Sequence, residues 1–149
     1  MIPYGSHSIS QDDINQVVDV LKHKFITQGD QVPLFEKNLS SYAGAKFVSV
    51  VNSATSALHL AYLSLGVGPK DIVWTSPITF VATSNAALMC GAIIDFVDIE
   101  ESTLNMSISA LKEKLIKAEK EKLLPKVITP VHMCGNSCDM KEIYSLSKK

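Results

Sequence analysis

The stretch VVNSATSALHLA, Val50 to Ala61, leaves an apolar run, passes through small and hydroxyl-bearing residues, and enters a helical pattern. Ser53, Ala54, Thr55 and Ser56 therefore stand where a helix begins. The first amides of a helix have no partner within it, and the helix dipole adds positive potential there. Such a turn can receive a phosphate, with the hydroxyls of Ser53, Thr55 and Ser56 as further donors. The same residues would also serve as an ordinary cap in which a serine satisfies its own helix. Neither a G-x-x-x-x-G-K-[ST] nor a G-x-G-x-x-G pattern occurs, so neither nucleotide fingerprint applies.

A second candidate lies at TSPITF, where Phe80 opens the next helical pattern. An aromatic ring at the mouth of a crevice stacks on planar ligands; the competing reading is core packing. A phosphate cup and an aromatic platform together suit a flat phosphorylated cofactor better than either alone. Asp98, after IIDFV, and His132, after VITPV, read as structural groups first and as ligand contacts second. The segment HMCGNSC places Cys134 and Cys138 outside the C-x-x-C spacing and without a second ligand pair, so no metal site is expected. Cys90, inside an apolar helix, is expected in the core.

These groups need elements to hold them. Ser10 is placed to cap a helix with Asp12 and Asp13 in its first turn, followed by Ile14, Val17, Val18 and Leu21 at helical period. A loop, FITQGDQ, leads to a second helix with Pro33 in its first turn, an apolar face of Phe35, Leu39 and Tyr42, and Gly44 as its stop. From there strands are expected at 47–51, 71–75, 93–97 and 126–131, and helices at 54–65, 79–90 and from Ser107 or Ser109 to Lys122, with Asp139 capping a last helix. This alternation predicts an α/β fold: a mostly parallel sheet with helices on both faces and right-handed crossovers. In such sheets ligands bind beyond the carboxyl ends of the strands, where Ser53–Ser56 and Phe80 are expected.

The bulk numbers limit the function. The chain has 149 residues, 46% of them hydrophobic, enough for a core in a single domain. A net charge of −1 gives no pull towards nucleic acid or an anionic membrane. All the basic residues are lysines, so an anion here must be held by amides, hydroxyls or lysine rather than an arginine fork. Three cysteines, no basic and apolar leader and no run of membrane-spanning length predict a cytoplasmic protein. The lysine-rich stretch 112–126, interspersed with glutamates, reads as a solvated helix face. The last helix stops without a closing element, which suggests the first part of a longer protein.

With NSATSALHLA, TSPITFVATSNAALMCGA and DFVDIE in view, the chain resembles the DegT/DnrJ/EryC/StrS sugar aminotransferases, which use pyridoxal 5'-phosphate. IPYG, FITQGDQVPLFE, DIVWTSPITF and LPKVITPVHMCGNSCDM extend the resemblance to the subgroup of pseudaminic acid biosynthesis. It implies that residues 1–149 are the N-terminal portion of the large domain of a fold-type I PLP-dependent transferase. It further implies that Ala54, Thr55 and Ser56 hold the cofactor phosphate and that Phe80 stacks on its ring. Tyr4, Lys24, Phe25, Ile26, Thr27 and Ala54 would lie at the sugar-nucleotide site.

The family also needs an aspartate beside the pyridinium nitrogen and a Schiff-base lysine. No lysine here stands in that motif; Lys22, Lys24 and Lys46 are nearest the predicted segments and none is expected to be the nucleophile, so no catalytic residue is assigned. The complete enzyme would aminate a UDP-4-keto-6-deoxy-N-acetylhexosamine with L-glutamate as donor, as a homodimer. This chain alone is expected to be inactive. The alternatives are a non-catalytic phosphate or sugar-nucleotide binding module and, further off, a flavodoxin-like module.

Overall fold

The computed structural model describes residues 5–148. The chain divides after Val50 into two compact units. The first holds two helices, α1 (Gln11–His23) and α2 (Gln31–Ala43). Ser10 caps α1 through a reciprocal box: its hydroxyl accepts from the Asp13 amide at 3.2 Å, and its own amide donates to the Asp13 carboxylate at 2.7 Å. The Ser10 hydroxyl also donates to that carboxylate at 2.8 Å, and the Ser10 amide first and hydroxyl second hold the Asp13 carboxyl below its ordinary value. Gly44 closes α2 in the left-handed conformation (φ 66°), which glycine adopts without steric cost. The apolar stripe expected along α1 is present, yet Ile14, Val17, Val18 and Leu21 all remain exposed.

The second unit carries α3 (Ala54–Ser64), β1 (Ile72–Thr75), α4 (Ala82–Met89), β2 (Ile93–Phe96), α5 (Ile108–Glu121), β3 (Val127–Thr129), a single 3-10 turn (Met133–Gly135) and α6 (Met140–Ser147). The strands form a parallel sheet in the order β2-β1-β3, with Thr75 level with Phe96 on one side and Thr129 on the other. β1 is therefore central, and its successive side chains enter two separate cores. Val73 packs with Tyr62, Val67, Ala86, Ala87 and Ala92 beneath α3 and α4. Trp74 packs with Val97, Met106, Leu111, Ala118, Cys138 and Ile143 beneath α5 and α6. Helices thus cover both faces, as the strand–helix alternation predicts.

Two expectations change. The segment 47–51 is not a strand, so the described sheet has three strands rather than four. β-branched residues favour extended backbone only where a neighbour completes the ladder; here the Val50 amide donates instead to the Glu36 carboxylate at 2.9 Å, and Phe47 is exposed. The helix expected from Thr79 begins only at Ala82. Pro77 biases Ser76 away from helical backbone, and the chain stays irregular over 77–80, with the Thr79 hydroxyl 2.8 Å from that of Thr83. Phe80 therefore lies on the approach to α4 rather than in its first turn. Gly91, after α4, has φ 81° and passes so close to Pro69 that a β-carbon would meet that ring at 3.2 Å.

Candidate functional site

The amino terminus of α3 is built as the sequence suggests. Ser53 caps it in extended backbone, its hydroxyl accepting from the Ser56 amide at 3.2 Å. The Ser56 hydroxyl donates to the Asn52 side-chain oxygen at 2.7 Å and lies 3.1 Å from the Ser53 hydroxyl. The Ala57 amide makes the first intrahelical bond, to the Ser53 carbonyl. The helix itself cannot satisfy the amides of Ala54 and Thr55. Asn52, Ser53 and Ala54 are exposed, and Thr55 and Ser56 half-buried. The donor set is two amides, the Thr55 hydroxyl and the dipole, with no carboxylate among residues 52–56. That is a set suited to a phosphate dianion.

The orientation of α3 puts this terminus at the ligand-binding edge. Beyond its far end, the Gly66 carbonyl accepts from Lys126, immediately before β3. α3 therefore runs against the strands, and its amino terminus projects past their carboxyl ends. α4 packs beside it on the same face, and Phe80 sits at the approach to α4 with its residue surface 76% exposed. A ring so exposed is not part of the core. Thr55 and Phe80 thus belong to the amino-terminal approaches of two neighbouring helices.

A hydroxyl network that the sequence did not reveal ties these helices to the sheet. The Tyr62 hydroxyl donates to the Thr83 carbonyl at 3.0 Å and lies 2.9 Å from the Thr129 hydroxyl. The Thr75 hydroxyl donates to the Thr129 carbonyl at 2.9 Å. Burial pushes the Tyr62 phenol above its ordinary value, with Cys90 adding to the rise and the Thr129 bond opposing it. Because the chain moves from β1 to β2 and then crosses to β3, the strand order reverses between β1 and β3, the usual place for a ligand crevice. Ser76 follows β1 there, fully buried, and its hydroxyl has no partner among the described residues.

The remaining expected residues fall as follows. Lys24 ends α1, its amide bonded to the Val20 carbonyl and its ammonium 2.9 Å from Asp19. The bridge to Lys24 holds the Asp19 carboxyl below its ordinary value despite some desolvation. Phe25, Ile26 and Thr27 follow as exposed, irregular chain in the first unit. Tyr4 lies outside the described residues. His132 accepts the Cys138 amide at Nδ1, 3.0 Å away. Asp98 accepts the amide of Ile99, and its carbonyl accepts the amide of Ser107. Both act locally.

A sequence model of the DegT/DnrJ/EryC1/StrS aminotransferase family matches residues 7–149. The chain belongs to this family. Among curated relatives it is 46% identical, over its whole length, to the UDP-4-amino-4,6-dideoxy-N-acetyl-beta-L-altrosamine transaminase of Campylobacter jejuni, and spans 38% of that protein. Among solved structures of the family, the Helicobacter pylori aminotransferase PseC, involved in the biosynthesis of pseudoaminic acid, superposes with a TM-score of 0.81. It is 32% identical, over 98% of this chain and 38% of the other. The Streptococcus pneumoniae sugar-aminotransferase structure in its PLP-form gives a TM-score of 0.83 at 31% identity, over 97% of this chain and 36% of that one. The parallel sheet with its flanking helices is thus the α/β fold of these PLP-dependent sugar aminotransferases. Among the described residues, no helix is long and apolar enough to cross a membrane.

Proposed function

We propose that this chain supplies the phosphate cup and ring platform of a PLP-dependent transaminase that transfers an amino group from L-glutamate to a UDP-4-keto-6-deoxy-N-acetylhexosamine. The observation that carries the reading is the amino terminus of α3, whose Ala54 and Thr55 amides the helix cannot use. Membership in the aminotransferase family supports it, as does the likeness to an altrosamine transaminase. In this reading Ala54, Thr55 and Ser56 hold the phosphate through two amides and a hydroxyl, and Phe80 stacks on the pyridine ring. The cofactor, when bound, supplies the electron sink that makes transamination accessible at neutral pH. Tyr4, Lys24, Phe25, Ile26, Thr27 and Ala54 belong to the sugar-nucleotide side. The working enzyme is a cytoplasmic homodimer, and the 149-residue chain alone is inactive because no residue in it serves as covalent lysine or pyridinium partner.

The test is a fluorescence titration of the chain with pyridoxal 5'-phosphate and with unphosphorylated pyridoxal. Tighter binding of the phosphorylated form, reduced by Thr55→Val and by Phe80→Ala, supports the proposal. Equal affinity for both overturns the phosphate cup. Binding of a UDP-sugar without binding of the cofactor would make the chain a sugar-nucleotide binding module instead.

A further inference from the structure

Among the described residues β2 is an edge strand, and an unpaired edge is a template for any extended segment that meets it. Its backbone alternates. The amides of Ile93 and Val97 donate inward, to the carbonyls of Asp71 and Thr75 in and beside β1. In a parallel ladder both polar groups of a residue point to the same side, so Ile94 and Phe96 present theirs outward. The edge is also apolar: Ile93 is 54% and Phe96 45% exposed. Exposed, apolar and unpaired is the combination that drives strand-to-strand association.

Phe96 is not left open. Its amide donates to the Asp95 carboxylate at 2.8 Å, and its carbonyl accepts from the Lys114 ammonium. Lys114 also pairs with Asp95 at 2.7 Å, so one ion pair occupies both outward groups of one residue. The Lys114 side chain leaves α5 across the Trp74 ring, its ammonium 4.9 Å from the ring centroid, and that contact steadies it over the strand. Trp74 is itself immobilised in the core, 2% exposed.

We propose that the Asp95–Lys114 pair is an edge guard, which blocks the outward peptide groups of Phe96 and so keeps β2 from adding to the β2 edge of a second copy of the chain. The second copy is the natural competitor because its identical edge is present at equal concentration and can pair about a two-fold axis. β2 is four residues long and offers two outward residues, so blocking Phe96 removes half of the available register.

The variants are Asp95→Ala, Lys114→Met and the double substitution, with Lys117→Met as control on the same helix. The methionine keeps the apolar stem against Trp74. Amide hydrogen exchange and sedimentation at matched concentrations read the result. In Asp95→Ala the Phe96 amide should exchange at least tenfold faster while Ile93 and Val97 keep their protection, which shows the sheet intact. The double variant should gain weight-average mass with concentration, over both the parent and Lys117→Met. Unchanged exchange at Phe96, or faster exchange without any gain in mass, overturns the guard. So does an equal gain in mass by Lys117→Met.

Discussion

The Tyr62 hydroxyl sits 2.9 Å from that of Thr129, joining the end of α3 to the carboxyl end of β3 across 67 residues of chain. Its proton goes to the Thr83 carbonyl, so Thr129 is the donor in the shared bond. Tyr62→Phe removes one acceptor and one donor from a site where Thr83 is buried. It should destabilise the chain by about 1–3 kcal/mol, read as a lower urea midpoint with an unchanged slope. Thr129→Val in the same background should cost little more, because the partners act as one network.

The same phenol predicts an alkaline limit. Burial raises its folded value above the ordinary tyrosine range. Between the unfolded and folded values the unfolded chain has released a proton that the native chain retains, so stability falls as pH rises above about 10. Stability measured from pH 8 to 11 should decline less in Tyr62→Phe than in the parent.

Asp71 predicts an acid limit of opposite sign. Its carboxylate accepts from Lys126 and from the Gly68 amide, both at 2.8 Å. These bonds hold its folded value below the ordinary one, Lys126 contributing most. The stabilisation is complete above the unfolded value of about 4 and is lost as pH falls through the depressed folded value. Urea midpoints of the parent and Asp71→Asn should differ at pH 6 and converge towards pH 3.

Lys122 ends α5 at φ 60°, ψ 36°, a left-handed position held by a non-glycine residue. The Leu123 amide closes the turn on the Ala118 carbonyl at 2.8 Å. Glycine adopts this backbone without the β-carbon conflict, so Lys122→Gly should stabilise the chain by about 1 kcal/mol. A raised urea midpoint would show it.

Ser53→Ala separates capping from ligand binding. Loss of the bond to the Ser56 amide should cost about 1 kcal/mol of stability. The amides of Ala54 and Thr55 remain, so phosphate-dependent affinity should survive once the chain is compared below its unfolding transition.

What could be read in the sequence was mostly local. Ser10, Gly44, Ser53 and Asp139 mark helix ends because capping depends on side chains within a few residues, and the structure puts all four at those ends; of the two serines that could open α5, Ser107 and Ser109, it selects Ser107. The apolar runs at β1, β2 and β3 were legible because they are short, β-branched and punctuated by turn residues. The run at 47–51 looks the same locally but has no ladder among the described residues, and pairing is not a local property. The start of α4 was misplaced because helical period does not tell where the irregular stretch that follows Ser76 and Pro77 ends. The Tyr62–Thr83–Thr129 network was invisible, since the alternation of strands and helices gives the layers but not which hydroxyls meet between them.

Val73 and Trp74 are consecutive, yet they feed opposite interiors. A slip of β1 by one notch would drive an indole into a socket moulded around an isopropyl group and leave a void where the indole had been. The central strand thus works like a key cut on both sides: it admits one insertion depth, and that depth sets how far Thr75 and Ser76 protrude at the rim.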